Sequence, residues 1–374
     1  MALTHIPPNS VPHSPTQLHV LISRLVDNLV NIRDQDGRFL LKLDDGRVID
    51  TKGWNDWEWT HGVGLYGLLQ YHQLTHDAHS REVIERWFAD RFAAGTPTKN
   101  VNTMAAMLTL AHLYEQTGDS RYRPYLEVWA EWVMHDMPRT DEGGLQHIVF
   151  NSENPQQLWD DTLMMCVLPL AKIGLVLGRP AYVEEAKRQF LLHIKYLGDT
   201  RTGLWFHGWT FDGRHNFARA LWARGNSWVT IAIPEFIELL DLPPGDALRE
   251  HLLGTLQAQV DALCRHQDSA SGLWHTLIDD PTSYVESSAA AGFAYGMLKG
   301  VRKRYLDPAC LPHALRAVNG VIDQIDAQGE LRNVSFGTAM GDTLQFYKDI
   351  ALTSMPYGQA MAMLCLTEFL HHYI

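Results

Sequence analysis

The chain is short of four things. Its 374 residues hold only four cysteines, Cys166, Cys264, Cys310 and Cys365, with no C-x-x-C pair. That excludes a disulfide-stapled scaffold and a cysteine-built zinc site. Three of the four lie in apolar runs with helical spacing, so they read as buried thiols, and the cytoplasm is the expected compartment. Positive charge is also scarce, with 31 Lys and Arg against 43 Asp and Glu and a formal net charge of −12. No nucleic-acid surface and no membrane patch is expected from that balance. Long apolar runs are missing as well. "MALTHIPPNSVPHSPTQL" has neither a basic start nor an apolar core, and the next apolar run is broken by Arg24 and Asp27. Neither a signal peptide nor a membrane span is expected. Finally, there is no H-E-x-x-H, no carboxylate-rich calcium loop, no P-loop and no G-x-S-x-G elbow. No metal, no cofactor and no serine nucleophile is expected.

What is abundant is tryptophan (12) and histidine (19), in an acidic chain of otherwise ordinary globular make-up. Flat indoles stack on pyranose faces, so the composition points toward an oligosaccharide ligand.

Most of the chain carries apolar residues at i, i+3 and i+4, as in "SREVIERWFADRF" and "YVEEAKRQFLLHIKYL". It reads as all-α. Helix, tight Gly/Asp/Pro turn and second helix recur, for instance in "KIGLVLGRPAYVEEAKRQF". After each second helix comes a glycine loop, marked by Gly37, Gly144, Gly203, Gly272 and Gly329, with the loop around Gly95 filling the wide first gap. Six units of about sixty residues result. Closed into a ring, six helical hairpins make an (α/α)6 barrel whose loops gather at one end. An open solenoid is the alternative, but no polar capping repeat is seen. No Pro/Ser-rich linker divides the chain, so residues 16–374 are expected to form one domain behind a mobile tail over 1–15.

Aromatic and polar residues cluster in and after these loops. "KGWNDWEWTHGVGLYGL" supplies Trp54, Trp57, Glu58, Trp59 and His61; "KNVNTMAAM" supplies Asn100 and Asn102. "GGLQH" holds His147, and "GLWFHGWTFDGRHNFARALWARGNSW" holds His207, Trp222, Arg224 and Trp228. Singly, each has a structural reading: a tryptophan on a helix is most often core, and a loop histidine is often just hydrogen-bonded. The pair Asp160–Asp161, in the apolar run "QQLWDDTLMMCVLPLAKIG", is harder to dismiss. Aspartate caps helices. Here, though, Asn154 and Pro155 offer a better start, which places the pair in a second turn where capping does not explain it. Helix neighbours point about 100° apart, so only one of the two can face a barrel mouth.

These segments resemble a known family. "WxWxxGVGLYGL", "LYEQTGDSRY", "GGLQH", "LWDDTLMM", "GLWFHGW", "ALWARGNSW" and "YGQAMAM" run in order over nearly the whole chain. The sequence is similar to the unsaturated rhamnogalacturonyl hydrolases of glycoside hydrolase family 105, related to the unsaturated glucuronyl hydrolases of family 88. The resemblance implies an (α/α)6 barrel that hydrates the C4=C5 double bond of an unsaturated uronic acid left by a lyase, then releases the neighbouring sugar. It places the catalytic acid, later the base, on Asp161, and substrate contacts on His147, His207, Trp222 and Arg224. Trp57, Trp59 and Trp228 join them as candidate aromatic contacts. Where many relatives carry a second aspartate, this chain has Asn102, which can orient water or substrate but cannot exchange a proton. For the acid role, Asp161 has to start protonated, and a dry pocket is expected to raise it. Arg224 is expected to offset the uronate charge with its planar fork. Two other readings stay open: an epimerase or isomerase using His207 and His147, and a sugar-binding protein without turnover.

Overall fold

A computed structural model describes residues 12–372. Of the tail expected over 1–15, residues 1–11 lie outside the described residues.

The helical periodicity resolves into two kinds of helix that alternate along the chain. The first, α1 (Pro15–Asn31), opens with a reciprocal capping box between Ser14 and Gln17 and has proline in its first turn. It buries a single stripe, Leu18, Ile22, Leu25, Val26 and Leu29. The second, α2 (Trp59–Thr75), buries every residue from Thr60 to Leu69, as a helix enclosed by neighbours must. The alternation continues with the outer α3 (Ala78–Ala94) and an inner pair, α4 (Val101–Met104) running on into α5 (Ala106–Thr117). Outer α6 (Arg123–Glu131) precedes inner α7 (Leu168–Val176), and outer α8 (Pro180–Leu197) precedes inner α9 (Ala223–Leu239). Outer α10 (Ala247–His266) leads to inner α11 (Ser287–Arg302). Outer α12 (Leu311–Asp323), a short surface helix α13 (Leu344–Lys348) and inner α14 (Pro356–Leu370) complete the series.

Each inner helix packs on the next, and α14 packs against both α1 and α2. The last hairpin therefore meets the first and the ring is closed, an (α/α)6 barrel, where a solenoid would leave those ends apart. The repeated glycine marks the contact between units. Gly203 and Gly329 take φ of 86° and 79°, and a Cβ on either would stand 2.3 Å from a carbonyl oxygen of the adjoining outer helix, Ala258 and Arg24 respectively. Since Arg24 belongs to α1, Gly329 sits at the seam of the ring. In the third loop Gly143 takes the left-handed conformation (φ 77°) and Gly144 stays extended, which shifts that repeat position by one residue.

Among the described residues, four two-stranded antiparallel pairs decorate the end where the inner helices begin: β1 (Leu40–Lys42) with β2 (Val48–Asp50), β3 (Gln157–Trp159) with β4 (Gly208–Thr210), β5 (Trp274–His275) with β6 (Val285–Glu286), and β7 (Val334–Ser335) with β8 (Leu352–Thr353). Here the expected helix start at Asn154 is overturned. Asn154 and Gln156 adopt left-handed φ of 43° and 59°, and the next three residues pair with β4. The helix begins after Asp160, whose carbonyl accepts from Leu163 N, and passes through a wide π turn, Leu163–Val167, into α7. Asp160 thus stands at a helix start after all, the reading that local sequence had argued against.

At the opposite end, inner-helix carboxyl ends meet buried cations. Lys299 Nζ lies 2.5 Å from Glu235 and 2.7 Å from Glu238, and Lys172 Nζ 2.6 Å from Glu115. Cations complement that end of a helix dipole.

Candidate active site

The loop end encloses a cavity of about 550 Å³. The inner helices aim their amino ends at it: Glu58, Trp59 and Thr60 from α2, Asn102 from α4, Asp161 ahead of α7, Trp222 and Arg224 at α9, and Met355 ahead of α14. Converging helix starts give such a space a positive potential, suited to an anionic ligand.

Pairing of β3 with β4 sets the centre. Trp159 pairs with Gly208, and Asp160 N donates to His207 O at 3.1 Å, which brings the two aspartates beside His207. Asp161 faces the cavity, while Asp160 is fully buried and turned toward α9. His207 Nε2 lies 3.3 Å from Asp161 Oδ2, and its Nδ1 is 2.8 Å from the Tyr347 hydroxyl. His207 is 1% exposed on its side chain and is not on the cavity wall; it stands behind Asp161 instead of meeting ligand.

The protonation of the pair differs from the sequence expectation. Burial does act to raise Asp161. The contact and charge of His207 outweigh it and draw the group down to about 2. Asp160 has no such partner. Burial first, then the neighbouring Asp161 charge, hold it well above the carboxylate range. Two adjacent carboxyls share one proton, and burial favours Asp160 as its holder. Asp161 enters the resting site as a carboxylate.

His147 Nδ1 is 2.8 Å from Thr162 Oγ1, and its ring lies flat on Trp159, centroids 4.1 Å apart at 8°. Burial, opposed by the Asp161 charge, brings His147 down to about 3, so it meets ligand as a neutral imidazole. Trp59 stacks on Tyr357 (4.4 Å) and Trp222 covers the Arg224 guanidinium (4.7 Å). Both line the cavity, as does Asn102.

Three candidates are placed differently from expectation. Trp57 is core: it stacks on Trp129 (5.7 Å, 3°) and donates Nε1–H to Thr103 O at 2.9 Å. Trp228 is fully buried, edge-on behind Trp59, and does not line the cavity. Arg224 does line it, but its fork is already engaged. Nη1 donates to the carbonyl (2.7 Å) and hydroxyl of Ser335, and Nη2 to Phe336 O (3.0 Å) and Thr338 Oγ1 (2.9 Å). Only Nε has no partner. Arg224 ties down the 335–338 wall, and a bidentate grip on a ligand would require breaking those bonds.

Trp159, Phe39 and Phe336 also line the cavity and had not been singled out. Trp159 lay inside the quoted "LWDD" motif; only its strand register turns it toward His147. Among the described residues, Asp160, Asp161 and His207 form the one group of three with ligating atoms within 4.8 Å of each other, the spacing a metal ion would need. Both Asp160 carboxyl oxygens, Asp161 Oδ2 and His207 Nε2 are buried without a hydrogen-bond partner, with Asp161 and His207 approaching to 3.3 Å.

A closed (α/α)6 ring with a carboxylate–histidine pair beneath an aromatic-walled cavity defines a carbohydrate-active enzyme. The chain belongs to glycosyl hydrolase family 88, whose model matches residues 31–373. It is 32% identical over 318 residues to the unsaturated rhamnogalacturonyl hydrolase YesR of Bacillus subtilis, covering 84% of this chain and 90% of that one. A crystal structure of a possible GH105 member from Salmonella enterica superposes with a TM-score of 0.97 at 60% identity over the full length of both chains. The unsaturated glucuronyl hydrolase of Bacillus sp. GL1 shares the fold (TM-score 0.67, 18% identity, 94% and 95% covered).

Proposed function

We propose that this enzyme removes a 4,5-unsaturated uronic acid from the non-reducing end of lyase-generated oligosaccharides, by hydrating the C4=C5 bond. A proton adds at C4 and water at C5. The hemiketal so formed opens, and the neighbouring sugar leaves. The observation that carries this is Asp161, a carboxylate at a helix start, facing the cavity and backed by His207. As a carboxylate it takes the proton of the water that attacks C5. His147 and Trp159 form a flat wall for the sugar ring, with Trp59 and Trp222 as further stacking faces. The starts of the inner helices favour the uronate charge. The name of the 32% identical relative supports rhamnogalacturonan-derived material as substrate, and so a place in pectin breakdown.

The epimerase reading asks for two exchanging histidines at the ligand. His207 lies behind Asp161, and His147 is held neutral, so that reading is the weaker one. A reducing compartment, the cytoplasm, is supported by four free cysteines; no helix among the described residues is long and apolar enough to cross a membrane. The test is direct: incubate the protein with lyase-digested rhamnogalacturonan and follow loss of the double-bond ultraviolet absorbance, then repeat in heavy water. Deuterium at C4 of the product is expected. Persistence of the double bond would rule the reading out.

A further inference from the structure

Hydration needs two proton movements, one onto C4 and one off the attacking water. Asp161 is placed for the second. The cavity lining contains two other carboxyls, Glu58 and Asp342, and Asp342 is exposed at the mouth. Glu58 is different. It is 2% exposed and stands immediately before α2. Its Oε2 accepts from Trp59 N at 3.0 Å, while Oε1 is buried without a hydrogen-bond partner. Glutamate is not a favoured residue at a helix start, where Ser, Thr, Asp and Asn cap better. Glu58 does cap α2, in a reciprocal box with His61, yet capping leaves Oε1 unpartnered on the cavity wall.

Resting on the hydration reading above, we infer that Glu58 is a second catalytic residue: it delivers the proton to C4, and Asp161 receives the proton of the water. The geometry brings both carboxyls to one cavity. α2 packs against α4, and α4 against the π turn that follows Asp161, so Glu58, Asn102 and Asp161 are contributed by successive inner helices to one cavity. Asn102, between the two carboxyls in this order, can orient but cannot exchange a proton. In the reaction the C4=C5 π pair takes the Glu58 proton and forms the C4–H bond. Water oxygen bonds to C5 and gives its proton to Asp161. Glu58 is left ionised and Asp161 protonated, and the proton returns through cavity water after product leaves.

The groups around Glu58 agree with a donor. Its backbone N–H donates to His61 Nδ1 at 2.9 Å, and His61 Nε2 lies 2.7 Å from Gly53 O, so that histidine is a fixed neutral partner. Asp56 is on the same loop, Asn102 on α4, and Asp161, His147 and Arg224 line the same cavity. Burial pushes Glu58 up to about 7, Trp59 N–H and Asn102 draw it down, and the Asp56 charge raises it. Two carboxyls whose environments drive them apart can run acid and base steps at one pH.

Glu58→Gln keeps an oxygen for Trp59 N–H and removes the proton. Its kcat on an unsaturated disaccharide is expected to fall about 10²–10⁴-fold with little change in KM, and the alkaline limb of kcat to disappear. Adding Asn102→Asp to that variant restores a carboxyl next door and is expected to regain about tenfold or more. A merely structural Glu58 would leave Glu58→Gln within about threefold of wild type with an unchanged pH profile, and that result overturns the proposal. Should Glu58→Gln not fold, single turnovers of the wild type decide. Rates should fall as pH rises through about 7, and rates flat over roughly pH 6–9 count against Glu58. A wild type that leaves the double bond intact refutes the hydration reading itself, whereas an active wild type with an equally active Glu58→Gln refutes only the donor.

Discussion

Gly225 leaves the space that the Asp160 carboxyl fills. A Cβ on Gly225 would stand 2.3 Å from Asp160 Oδ2 and 2.7 Å from Oδ1. The carboxyl is fully buried, against the first turn of α9, and cannot step aside into solvent. Gly225→Ala is therefore expected to destabilise the protein by about 1–3 kcal/mol through overpacking, visible as a lowered melting temperature. An unchanged melting curve would mean that Asp160 is less confined than its burial indicates.

The two aspartates should separate sharply on substitution. Asp161→Asn removes the base and is expected to cost about 10³-fold in kcat in a folded protein. Asp160 carries its proton, so Asn is close to an isostere, and less than about tenfold is expected. Equal losses, or a larger loss at Asp160, would show the roles to be reversed.

His207 sets the acid side of the pH profile. Activity that needs the Asp161 carboxylate is present above its pKa and is lost as pH falls through it. With His207 in place that pKa lies at about 2, below the ordinary carboxylate range. In His207→Gln the main opposition to burial is gone, so the acid limb of kcat/KM should move to higher pH. A limb that stays where it was would detach His207 from the chemistry.

Arg224→Lys should harm activity nearly as much as Arg224→Ala. The planar fork reaches four acceptors on residues 335–338, and an ammonium on a flexible stem cannot span them. Faster limited proteolysis within 335–342 is expected in both variants. A Lys variant with most of the wild-type turnover would leave the fork without a needed role.

Turnover should survive exhaustive treatment with a chelator, because hydration as proposed asks only for proton transfers by side chains of the cavity. Activity lost on chelation and restored by a particular divalent ion would instead assign the cluster to a metal.

Much of the architecture is local and so can be read along the chain. Apolar spacing marked the chain as helical and the glycine period counted the hairpins, because 3.6-residue periodicity and left-handed turns are properties of short segments. Trp59, Asn102, His147 and Trp222 became candidates because loops at one end of a repeat must converge, while Asp161 was chosen from the aspartate pair by the family resemblance. What the sequence could not assign was decided by contacts between distant segments. β3 formed where capping rules favoured a helix, since its backbone found partners fifty residues away in β4. That register turned Trp159 toward the cavity and Asp160 away from it. Trp57 went to the core because Trp129 and the Thr103 carbonyl were there to receive it. The protonation of the aspartates depended likewise on which of them met His207. Residue type and spacing belong to the chain itself, whereas burial, charge neighbours and hydrogen-bond partners arise only once the ring closes, and these decide which carboxyl holds the proton.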